Sequence, residues 1–369
     1  MKIKEATTGL YRVPLRNPHA DATHGHMNQV ELVIVKLFTD VGIEASGYAY
    51  TIGRGGAAIK ALIDQELIPL LLNEDPRYVE SLWEKMWWQL HWVGRGGVAT
   101  FAISAVDMAL WDAIAKAAAQ PLGAILGLHR DRVPVYGSGV DLNLTLDELL
   151  EEVGRFVERG FTAVKIKVGK NDPEEDLERV DAVRNFLDGA RGRGRIALMV
   201  DANMRWDVPK AITMGREFEK LGVLWLEEPL IPDDVEGHAK VADALSMAVA
   251  AGENLHSKYE FKRYISAGAL DIVQPDVVTL GGVTEWLKVA AIAEAWNLPV
   301  ATHFADEIHV HLLCAIPNAM YLEHHAYRLD DYLINPLILK DGYAIMPDVP
   351  GHGVYFDETK LTRVSENVR

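Results

Sequence analysis

The sequence predicts an α/β protein made of a (β/α) barrel and an α+β domain that precedes it. From about residue 133 onward, short apolar runs alternate with amphipathic helical segments, as in βαβ units around a parallel sheet. Eight such runs follow at a spacing of about 25 residues, which fits a closed barrel better than an open doubly wound sheet. No G-x-G-x-x-G motif follows the first run, which disfavours a dinucleotide-binding fold.

The part before the barrel is predicted to contain three strands followed by three helices. The strand-like stretches are "KIKEATTGLYRVPL", "QVELVIVKLFTD" and "GIEASGYAYT", and Asp40-Val41-Gly42 is typical of a hairpin turn. Helical periodicity covers about 57–72, 76–91 and 100–118. After about residue 326 the chain is rich in loops, and we expect it to pack back on the first third. The predicted division is therefore 1–128, 129–325 and 326–369.

The composition restricts the class of partner. The chain has 369 residues and a formal net charge of −16, which argues against a nucleic-acid or anionic-membrane surface. A small anionic substrate remains compatible, because a local cluster of lysine and metal can oppose the overall charge. Cys314 is the only cysteine, so an intrachain disulfide and a cysteine zinc site are excluded. The N-terminus has no signal-peptide pattern and we find no membrane span, so we expect a cytoplasmic protein.

Polar residues stand at the ends of the predicted barrel strands, where barrel enzymes carry their chemistry. Lys165 and Lys167 lie two residues apart in "AVKIKV" and share one face of the strand. The following strands end in Asp201 and Asn203, Glu227 and Glu228, Glu253, Asp276, His303, and Glu323. The steps from 201 to 227 and from 227 to 253 are 26 residues each, one βα unit apiece. Three acids at equivalent strand ends are expected to converge on one point.

Converging carboxylates indicate a cation. A single acid at a strand end is more often a helix N-cap or a solvated loop residue, but three evenly spaced acids are harder to explain in that way. Three clustered carboxylates repel one another unless some are protonated or a cation lies among them. Ligation by oxygen alone favours Mg²⁺ or Mn²⁺ over zinc.

Seven short motifs then give a resemblance to a known family. They are "VKIKV", "VDAN", "LEEP", "GEN", "QPD", "THF" and "YLE", in this order and at barrel spacing. The sequence resembles the enolase superfamily, specifically its mandelate racemase subgroup, over essentially the whole chain. The resemblance implies a modified TIM barrel of the (β/α)7β type, with an α+β capping domain formed by the N-terminal third and the C-terminal tail. It also implies Mg²⁺ as cofactor, a small-molecule carboxylate as substrate, and a homo-oligomer.

The resemblance assigns roles to the strand-end residues. It implies Asp201, Glu227 and Glu253 as the Mg²⁺ ligands, with Glu228, the other acid of "LEEP", as the alternative to Glu227. It implies Lys167 as the general base on one face of the substrate, with Lys165 contacting the carboxylate and keeping Lys167 partly deprotonated. The remaining roles are an Asp276–His303 dyad on the opposite face, a hydrogen bond from Glu323 to the carboxylate, and Asn203 lining the site.

This constellation suits removal of a proton next to a carboxylate. That proton is far less acidic than any side chain, so its removal needs a strongly stabilised dianionic intermediate. A divalent metal and an ammonium group at the carboxylate oxygens supply that stabilisation, and superfamily sites pair a Lys or His base with Mg²⁺. The base must be partly neutral near neutral pH, and a second lysine and a nearby cation both lower its pKa.

The reaction that follows proton removal has alternatives. Loss of a β-hydroxyl makes the protein a dehydratase that yields a 2-keto-3-deoxy acid, whereas protonation by His303 on the opposite face makes it a racemase or epimerase. Capping loops at about 15–27 and 50–56 are predicted to choose the substrate, with His24 and Arg54 as candidate contacts. The pattern looks closest to acid-sugar dehydratases of the galactarate/talarate type. A metal-dependent hydrolase or a non-catalytic barrel is the alternative from another class.

Overall fold

The computed structural model describes residues 1–190, 194–326 and 329–364, and it leaves out the side chains of residues 16–18. An antiparallel sheet of four strands forms the N-terminal cap, in the order β14-β1-β2-β3. Its strands are β1 (Ile3–Asp21), β2 (Gly25–Thr39), β3 (Glu44–Thr51) and β14 (Thr362–Arg363). The turn between β2 and β3 contains Gly42 at a φ of +80°, as its hairpin signal predicts.

Helices pack on this cap sheet and on one another, and the last of them packs on the barrel. They are α1 (Gly56–Leu62), a π-helical turn (Ile63–Leu67), α2 (Ile68–Leu71), a 3₁₀ turn (Pro76–Tyr78), α3 (Val79–Leu90), α4 (Val98–Ala117) and α5 (Leu122–Leu126). Helix α4 packs so closely on β3 that a Cβ atom at Gly47 would lie 2.1 Å from the carbonyl oxygen of Ala105. By length and composition α4 passes as a membrane-crossing helix, but 78% of its most apolar window is buried inside the protein, as in a core helix.

Eight parallel strands form the closed barrel. They are β4 (Arg132–Val140), β5 (Ala163–Lys167), β6 (Ala197–Asp201), β7 (Trp225–Glu227), β8 (Ala248–Ala251), β9 (Ile272–Val273), β10 (Val300–Ala301) and β11 (Ala319–His325). Each strand pairs with the next, and β11 pairs with β4 to close the sheet. All eight apolar runs of the sequence are therefore strands of one barrel, and the predicted fold is confirmed.

Seven helices connect these strands, which gives the (β/α)7β order. They are α6 (Leu146–Glu158), α7 (Pro173–Gly189), α8 (Val208–Lys220), α9 (Val235–Ala244), α10 (Lys258–Ser266), α11 (Val283–Ala295) and α12 (Asp306–Ala315). The sequence encodes most of their starts through N-cap side chains. Thr145 and Glu148 form a capping box on α6, and Asp172, Asp207, Asp234 and Ser257 cap the next four helices.

Different strands of the C-terminal segment pair with the cap sheet and with the barrel sheet. Strand β14 pairs with β1 of the cap, in line with the prediction that the tail packs on the first third. The hairpin of β12 (Ile338–Lys340) and β13 (Tyr343–Ile345) instead adds to the barrel sheet, because β13 pairs antiparallel with the start of β4. Two 3₁₀ turns, Asp330–Tyr332 and Glu358–Lys360, complete the segment.

The interior of the barrel explains why polar residues can occupy strand ends. A buried layer fills the barrel and consists of Tyr136, Ala163, Met199, Trp225, Ala250, Ile272 and Ala301. Side chains in a strand alternate, so the residue two positions later points to the same interior, one level higher. That next level contains Lys165, Asp201, Glu227, Gln274 and His303. The apolar layer thus closes the barrel floor beneath a polar mouth.

A buried histidine on α12 forms hydrogen bonds with backbone groups of α5 and of the C-terminal segment. His311 is 0% exposed, accepts a hydrogen bond from the Gly123 amide at 3.2 Å, and donates to the carbonyl of His352 at 3.0 Å. Burial lowers the pKa of His311 to about 4, although the bond to the His352 carbonyl opposes the shift. The imidazole is therefore neutral in the folded protein at neutral pH.

The low pKa of His311 predicts that the stability difference between the wild type and a His311 variant depends on pH. The folded pKa of His311 lies below its unfolded value of 6.5, so the unfolded chain binds the extra proton between these values and wild-type stability falls as pH decreases. His311→Gln has no imidazole at this position, so it does not show this decrease in stability at low pH. We expect the stability advantage of the wild type over His311→Gln to shrink by about 2 kcal/mol from about pH 7 to about pH 5. Urea unfolding at both pH values measures it, and an unchanged gap would contradict the neutral assignment.

Candidate active site

Strand register brings the polar strand ends into one row. Lys167 is paired with Asp201 across β5 and β6, and Asp201 is paired with Glu227 across β6 and β7. Each of these three residues lies two or four positions after a member of the interior apolar layer, so the three side chains enter the same mouth. The register therefore sets two acids and a lysine side by side.

Three carboxylates form a compact group in this mouth. One oxygen each from Asp201, Glu227 and Glu253 lies within 4.8 Å of the other two. Asp201 and Glu227 are each 1% exposed. Burial raises the pKa of Glu227 to about 7, although the neighbouring Lys165 opposes the shift. Acids held this close and away from water need partial protonation or compensating positive charge.

The donor set fits Mg²⁺. All three candidate ligands are carboxylates, and oxygen donors are the type that Mg²⁺ prefers. The second acid of "LEEP", Glu228, is not part of the group and instead accepts a hydrogen bond from Asn254 at 2.8 Å. Burial raises the pKa of Glu228 well above its usual value, and the adjacent Glu253 raises it further. This geometry favours Glu227 over Glu228 as the ligand.

Side chains below the mouth fix the orientation of Glu227. Its Oε2 atom accepts hydrogen bonds from the indole of Trp225 at 3.0 Å and from the amide of Gln274 at 2.7 Å. Its Oε1 atom forms an ion pair with Lys165. Carboxylates that bind metals are commonly held by such outer partners. The role of Trp225 was not predicted from the sequence, and Gln274 was located there only as the first residue of the strand-end motif "QPD".

The two lysines of β5 occupy different electrostatic surroundings. Lys165 is 1% exposed, and its ammonium lies 2.9 Å from Glu323 Oε1 and 3.9 Å from Asp201 Oδ2 in addition to its pair with Glu227. Burial alone would lower the pKa of Lys165, but these carboxylates outweigh burial and raise it well above the usual value. Lys167 is 6% exposed and lies 2.5 Å from Asp201 Oδ2. Lys165 is thus a fixed cation, while Lys167 stands nearer the opening.

A histidine faces the lysines from the other side of the acidic group. His303 places Nε2 at 2.9 Å from Glu253 Oε2 and Nδ1 at 2.9 Å from Asp276 Oδ2. Burial alone would lower the pKa of His303, whereas Glu253 and Asp276 outweigh it and raise it well above 6.5. The predicted Asp276–His303 pair is therefore present as a hydrogen-bonded pair. Lys167 and His303 contact different acids of one cluster, Asp201 and Glu253.

The cap contributes a hydroxyl to this pair. Tyr50, on β3, donates to Asp276 Oδ2 at 2.6 Å, the same oxygen that contacts His303. Tyr48, two residues earlier, donates to Glu307 Oε1 at 2.5 Å. Alternation in "GYAYT" indicates that both tyrosines share a face, but the sequence did not reveal that this face meets the barrel. Tyr50 is the main site residue that the sequence analysis missed.

The backbone after His303 is in a strained conformation. Phe304 and Ala305 have φ values of +46° and +43°, which side-chain-bearing residues adopt at a cost of about 1 kcal/mol or more each. The amide of Phe304 donates to Glu323 Oε2 at 2.6 Å, so Glu323 holds this turn as well as Lys165. Strained backbone of this kind persists only where its surroundings fix it, and it is frequent at active sites.

The end of the β1–β2 hairpin lies against the barrel mouth; most of the predicted capping loop at 15–27 is strand, and the cap loop itself is residues 22–24. The amide of Ala20 donates to Asp141 Oδ2 at 2.9 Å, and the hydroxyl of Thr23 donates to the carbonyl of Asn203. Asn203 is 2% exposed, and its side-chain oxygen has no hydrogen-bond partner within the described parts of the chain. A buried acceptor of this kind is suited to a hydroxyl donor, and the role of Asn203 in lining the site stays a prediction.

The other two predicted substrate contacts differ in placement. His24 lies on this cap loop and pairs with Asp21 Oδ2 at 2.8 Å. Asp21 raises the pKa of His24, and Glu253 of the acidic group also raises it, so His24 is within the electrostatic reach of the mouth. Arg54 is exposed, and no contact in the described residues ties it to the mouth. Both remain predictions.

Two family models match the chain. Residues 4–127 match "Mandelate racemase / muconate lactonizing enzyme, N-terminal domain", and residues 148–360 match "Enolase C-terminal domain-like". A strand-rich cap on a (β/α)7β barrel with an acidic mouth defines the class of enolase-type barrel enzymes. The chain belongs to the mandelate racemase subgroup of the enolase superfamily.

Two relatives match over nearly their whole lengths. A 3,6-anhydro-alpha-L-galactonate cycloisomerase of Streptomyces coelicolor is 42% identical, over 98% of this chain and 99% of the relative. An L-talarate/galactarate dehydratase of Salmonella typhimurium is 38% identical, over 97% of this chain and 89% of the relative. Such relatives are lyases and isomerases, and this chain is an enzyme of that kind.

Solved structures agree with this membership. A racemase from Streptomyces coelicolor with bound magnesium has a TM-score of 0.94 at 42% identity, with coverage of 98% of this chain and 100% of that one. The talarate/galactarate dehydratase of Salmonella typhimurium, liganded with Mg and L-lyxarohydroxamate, has a TM-score of 0.91 at 38% identity, with coverage of 97% and 91%. Both contain magnesium, and Mg²⁺ is the cofactor expected here.

Proposed function

We propose that this enzyme removes the proton next to the carboxylate of an acid sugar and expels the β-oxygen, which yields a 2-keto-3-deoxy acid. The observation that carries the proposal is the placement of two proton-transfer groups of different chemistry on one acidic cluster. Lys167 contacts Asp201 at 2.5 Å, and His303 contacts Glu253 at 2.9 Å. A substrate bound at the cluster would have a base on one side and a proton donor on the other.

The site has groups for the substrate carboxylate. We assign the Mg²⁺ ion to Asp201, Glu227 and Glu253, where it would neutralise charge that develops on the carboxylate. Lys165 is a buried cation beside the same cluster, so it offers an ammonium to a carboxylate oxygen. Glu323 holds Lys165 in place. Burial alone would raise the pKa of Glu323, but Lys165 and His303 outweigh it and hold the pKa well below its usual value, so the predicted donor role requires Glu323 to take up a proton when the substrate binds. These charges lower the barrier most when they are fixed before the substrate arrives.

The proton transfers follow from this arrangement. Lys167 Nζ, in its neutral form, takes the proton from the carbon next to the carboxylate, and the C–H electron pair moves into the carboxylate group. These electrons then form the carbon–carbon double bond as the β carbon–oxygen bond breaks. His303 Nε2 gives its proton to the departing oxygen, with Asp276 holding the ring. The resulting enol tautomerises to the 2-keto acid.

An acid sugar is the substrate class with most support. The relative from Salmonella typhimurium is named for talarate and galactarate, and its structure holds an acid-sugar analogue, L-lyxarohydroxamate. The chain also supplies polar surroundings for hydroxyl groups, namely the acceptor of Asn203 and the histidines His19, His24 and His26 at the end of the β1–β2 hairpin. An aromatic substrate would leave the side-chain oxygen of Asn203 without a hydroxyl donor, at a cost in affinity.

Ring opening is the second candidate, favoured by the 42% identity to the cycloisomerase. In a 3,6-anhydro acid the β-oxygen is part of a ring, so breaking the same bond releases an oxygen that stays attached at carbon 6. The same base and acid serve both reactions, and only the identity of the leaving oxygen differs. Racemisation is the third outcome, in which the intermediate takes a proton from His303 at carbon instead of losing oxygen.

One set of incubations tests the proposal. The Mg²⁺-loaded enzyme is incubated with galactarate, L-talarate, galactonate, arabinonate and 3,6-anhydro-L-galactonate, and 2-keto acids are assayed as semicarbazones. Dehydration gives a product lighter than the substrate by one water, ring opening gives an isomer, and racemisation gives only deuterium incorporation in D₂O. We expect a 2-keto acid from at least one diacid. Absence of 2-keto acid from all five compounds would refute elimination.

A further inference from the structure

A buried histidine outside the proton-transfer groups connects the two backbone segments that hold them. His309 is the fourth residue of α12 and is 0% exposed. Its Nε2 accepts a hydrogen bond from the Val277 amide at 3.0 Å, and its Nδ1 lies 2.7 Å from the Phe304 carbonyl oxygen. Val277 follows Asp276 in the chain, and Phe304 follows His303. One imidazole ring thus bridges the ends of β9 and β10.

The two partners determine the state of this ring. A backbone amide can only donate, so Nε2 must be unprotonated, and a carbonyl can only accept, so Nδ1 must carry the proton. The ring is consequently a neutral imidazole in one tautomer. Burial agrees with this assignment, because it lowers the pKa of His309 to about 4 although Asp276 opposes the shift. A cationic ring would lose the bond from Val277.

The Phe304 carbonyl that binds His309 belongs to the strained turn described above. Phe304 and Ala305 are both left-handed, and this conformation directs the Phe304 carbonyl to His309 while the Phe304 amide meets Glu323. The Phe304 ring packs on Tyr50 and on His325, with 4.6 and 5.4 Å between the ring centroids. Loss of the His309 bond would leave one end of the turn without its partner.

We propose that His309 is a positioning residue that keeps Asp276 and His303 in register for proton transfer to the substrate. It reaches neither the acidic cluster nor the substrate directly, and it acts through the backbone on each side of the pair. The test of this inference by kcat rests on the proposed function. The test by crystal structures of the variants needs no substrate.

The same helix offers a matched control. His311 is also 0% exposed and neutral, and it also bonds two backbone groups, the Gly123 amide and the His352 carbonyl. Neither partner adjoins a residue of the mouth. His309→Phe and His311→Phe each keep a planar ring and delete two hydrogen bonds, so they impose similar losses of stability. Only His309→Phe affects the register of Asp276 and His303.

Turnover separates the two variants. We expect His309→Phe to lower kcat by about 100-fold with KM within about threefold, as for a misplaced proton-transfer group. His311→Phe should keep kcat within about threefold at a temperature below its Tm. His309→Asn keeps a donor near the Nδ1 position and His309→Gln an acceptor near the Nε2 position, so each should recover part of the loss and should fold if His309→Phe does not. Equal kcat for the His309 and His311 variants would overturn the proposal.

Crystal structures of the substrate-free variants decide the same point without activity. In His309→Phe we expect Phe304 to relax to a negative φ and the His303 ring to leave its position 2.9 Å from Asp276. In His311→Phe both features should be unchanged. An undisplaced His303 in His309→Phe would refute the positioning role. If the wild type converts no acid sugar, the proposed function fails while these structures still test His309.

Discussion

Lys167→Met is expected to reduce turnover of the acid sugar by about 10³-fold or more, because it removes the group assigned as the base. Methionine keeps the length and the apolar part of the side chain, so the wall of the barrel mouth is retained. Exchange of the α-proton for solvent deuterium on the lysine face should be lost to the same degree. Mass spectrometry of substrate recovered from D₂O, together with the 2-keto acid assay, measures both effects.

A nearby lysine provides the control for this variant. Lys170 lies three residues farther along the chain and forms a loose pair with Glu175 at 3.7 Å. Lys170→Met removes the same charge from the same segment and should leave kcat within about twofold, since exposed pairs contribute little. His303→Asn should instead impair protonation of the leaving oxygen while exchange by Lys167 continues. Full turnover by Lys167→Met would exclude it as the base.

Removal of Mg²⁺ is expected to have an effect of comparable size on turnover and an added effect on stability. Chelation with EDTA should abolish 2-keto acid formation, and addition of Mg²⁺ should restore it. A cation that binds only the folded state at 100 times its Kd stabilises that state by about 2.7 kcal/mol. Differential scanning calorimetry should therefore show a higher Tm with Mg²⁺. A Tm independent of Mg²⁺ would argue against binding at this cluster.

Amide variants of the acids locate the ion. Asp201→Asn, Glu227→Gln and Glu253→Gln each remove one carboxylate and should weaken Mg²⁺ binding by about 100-fold or more, beyond the effect typical of outer partners. Glu228→Gln is the matched control, since it is an equally buried acid in the same "LEEP" motif but lies outside the group. Isothermal titration calorimetry with Mg²⁺ measures all four variants. A larger loss in Glu228→Gln than in Glu227→Gln would reverse the assignment.

Much of this site could be predicted because local rules determine it. Spacing by two residues puts Lys165 and Lys167 on one face of β5, and spacing by one βα unit puts Asp201, Glu227 and Glu253 at equivalent strand ends. Neither inference requires knowledge of distant contacts. For the same reason the eight strands of the barrel could be located from the alternation of apolar runs and helices.

The remainder depends on contacts between segments far apart in the chain. Tyr50 and Asp276 are 226 residues apart in the sequence, and no local pattern gives that pairing. His309 is similar, since "HVHLL" is compatible with helix surface or packing and does not indicate the strand ends that the ring bridges. The hairpin of the tail is a further long-range contact, because β13 pairs with Arg132–Pro134, the start of β4 that extends beyond its pairing with β11.

The two tyrosines of β3 limit how the enzyme can be re-engineered. Exchanging the whole cap between relatives is an obvious route to a new substrate, because the cap loops lie at the mouth. Such a graft would also replace the strand whose hydroxyls reach Asp276 and Glu307. A donor cap without a tyrosine at position 50 would remove the hydrogen bond that the cap gives to the Asp276–His303 pair. Loop grafts that leave β3 in place are the sounder design.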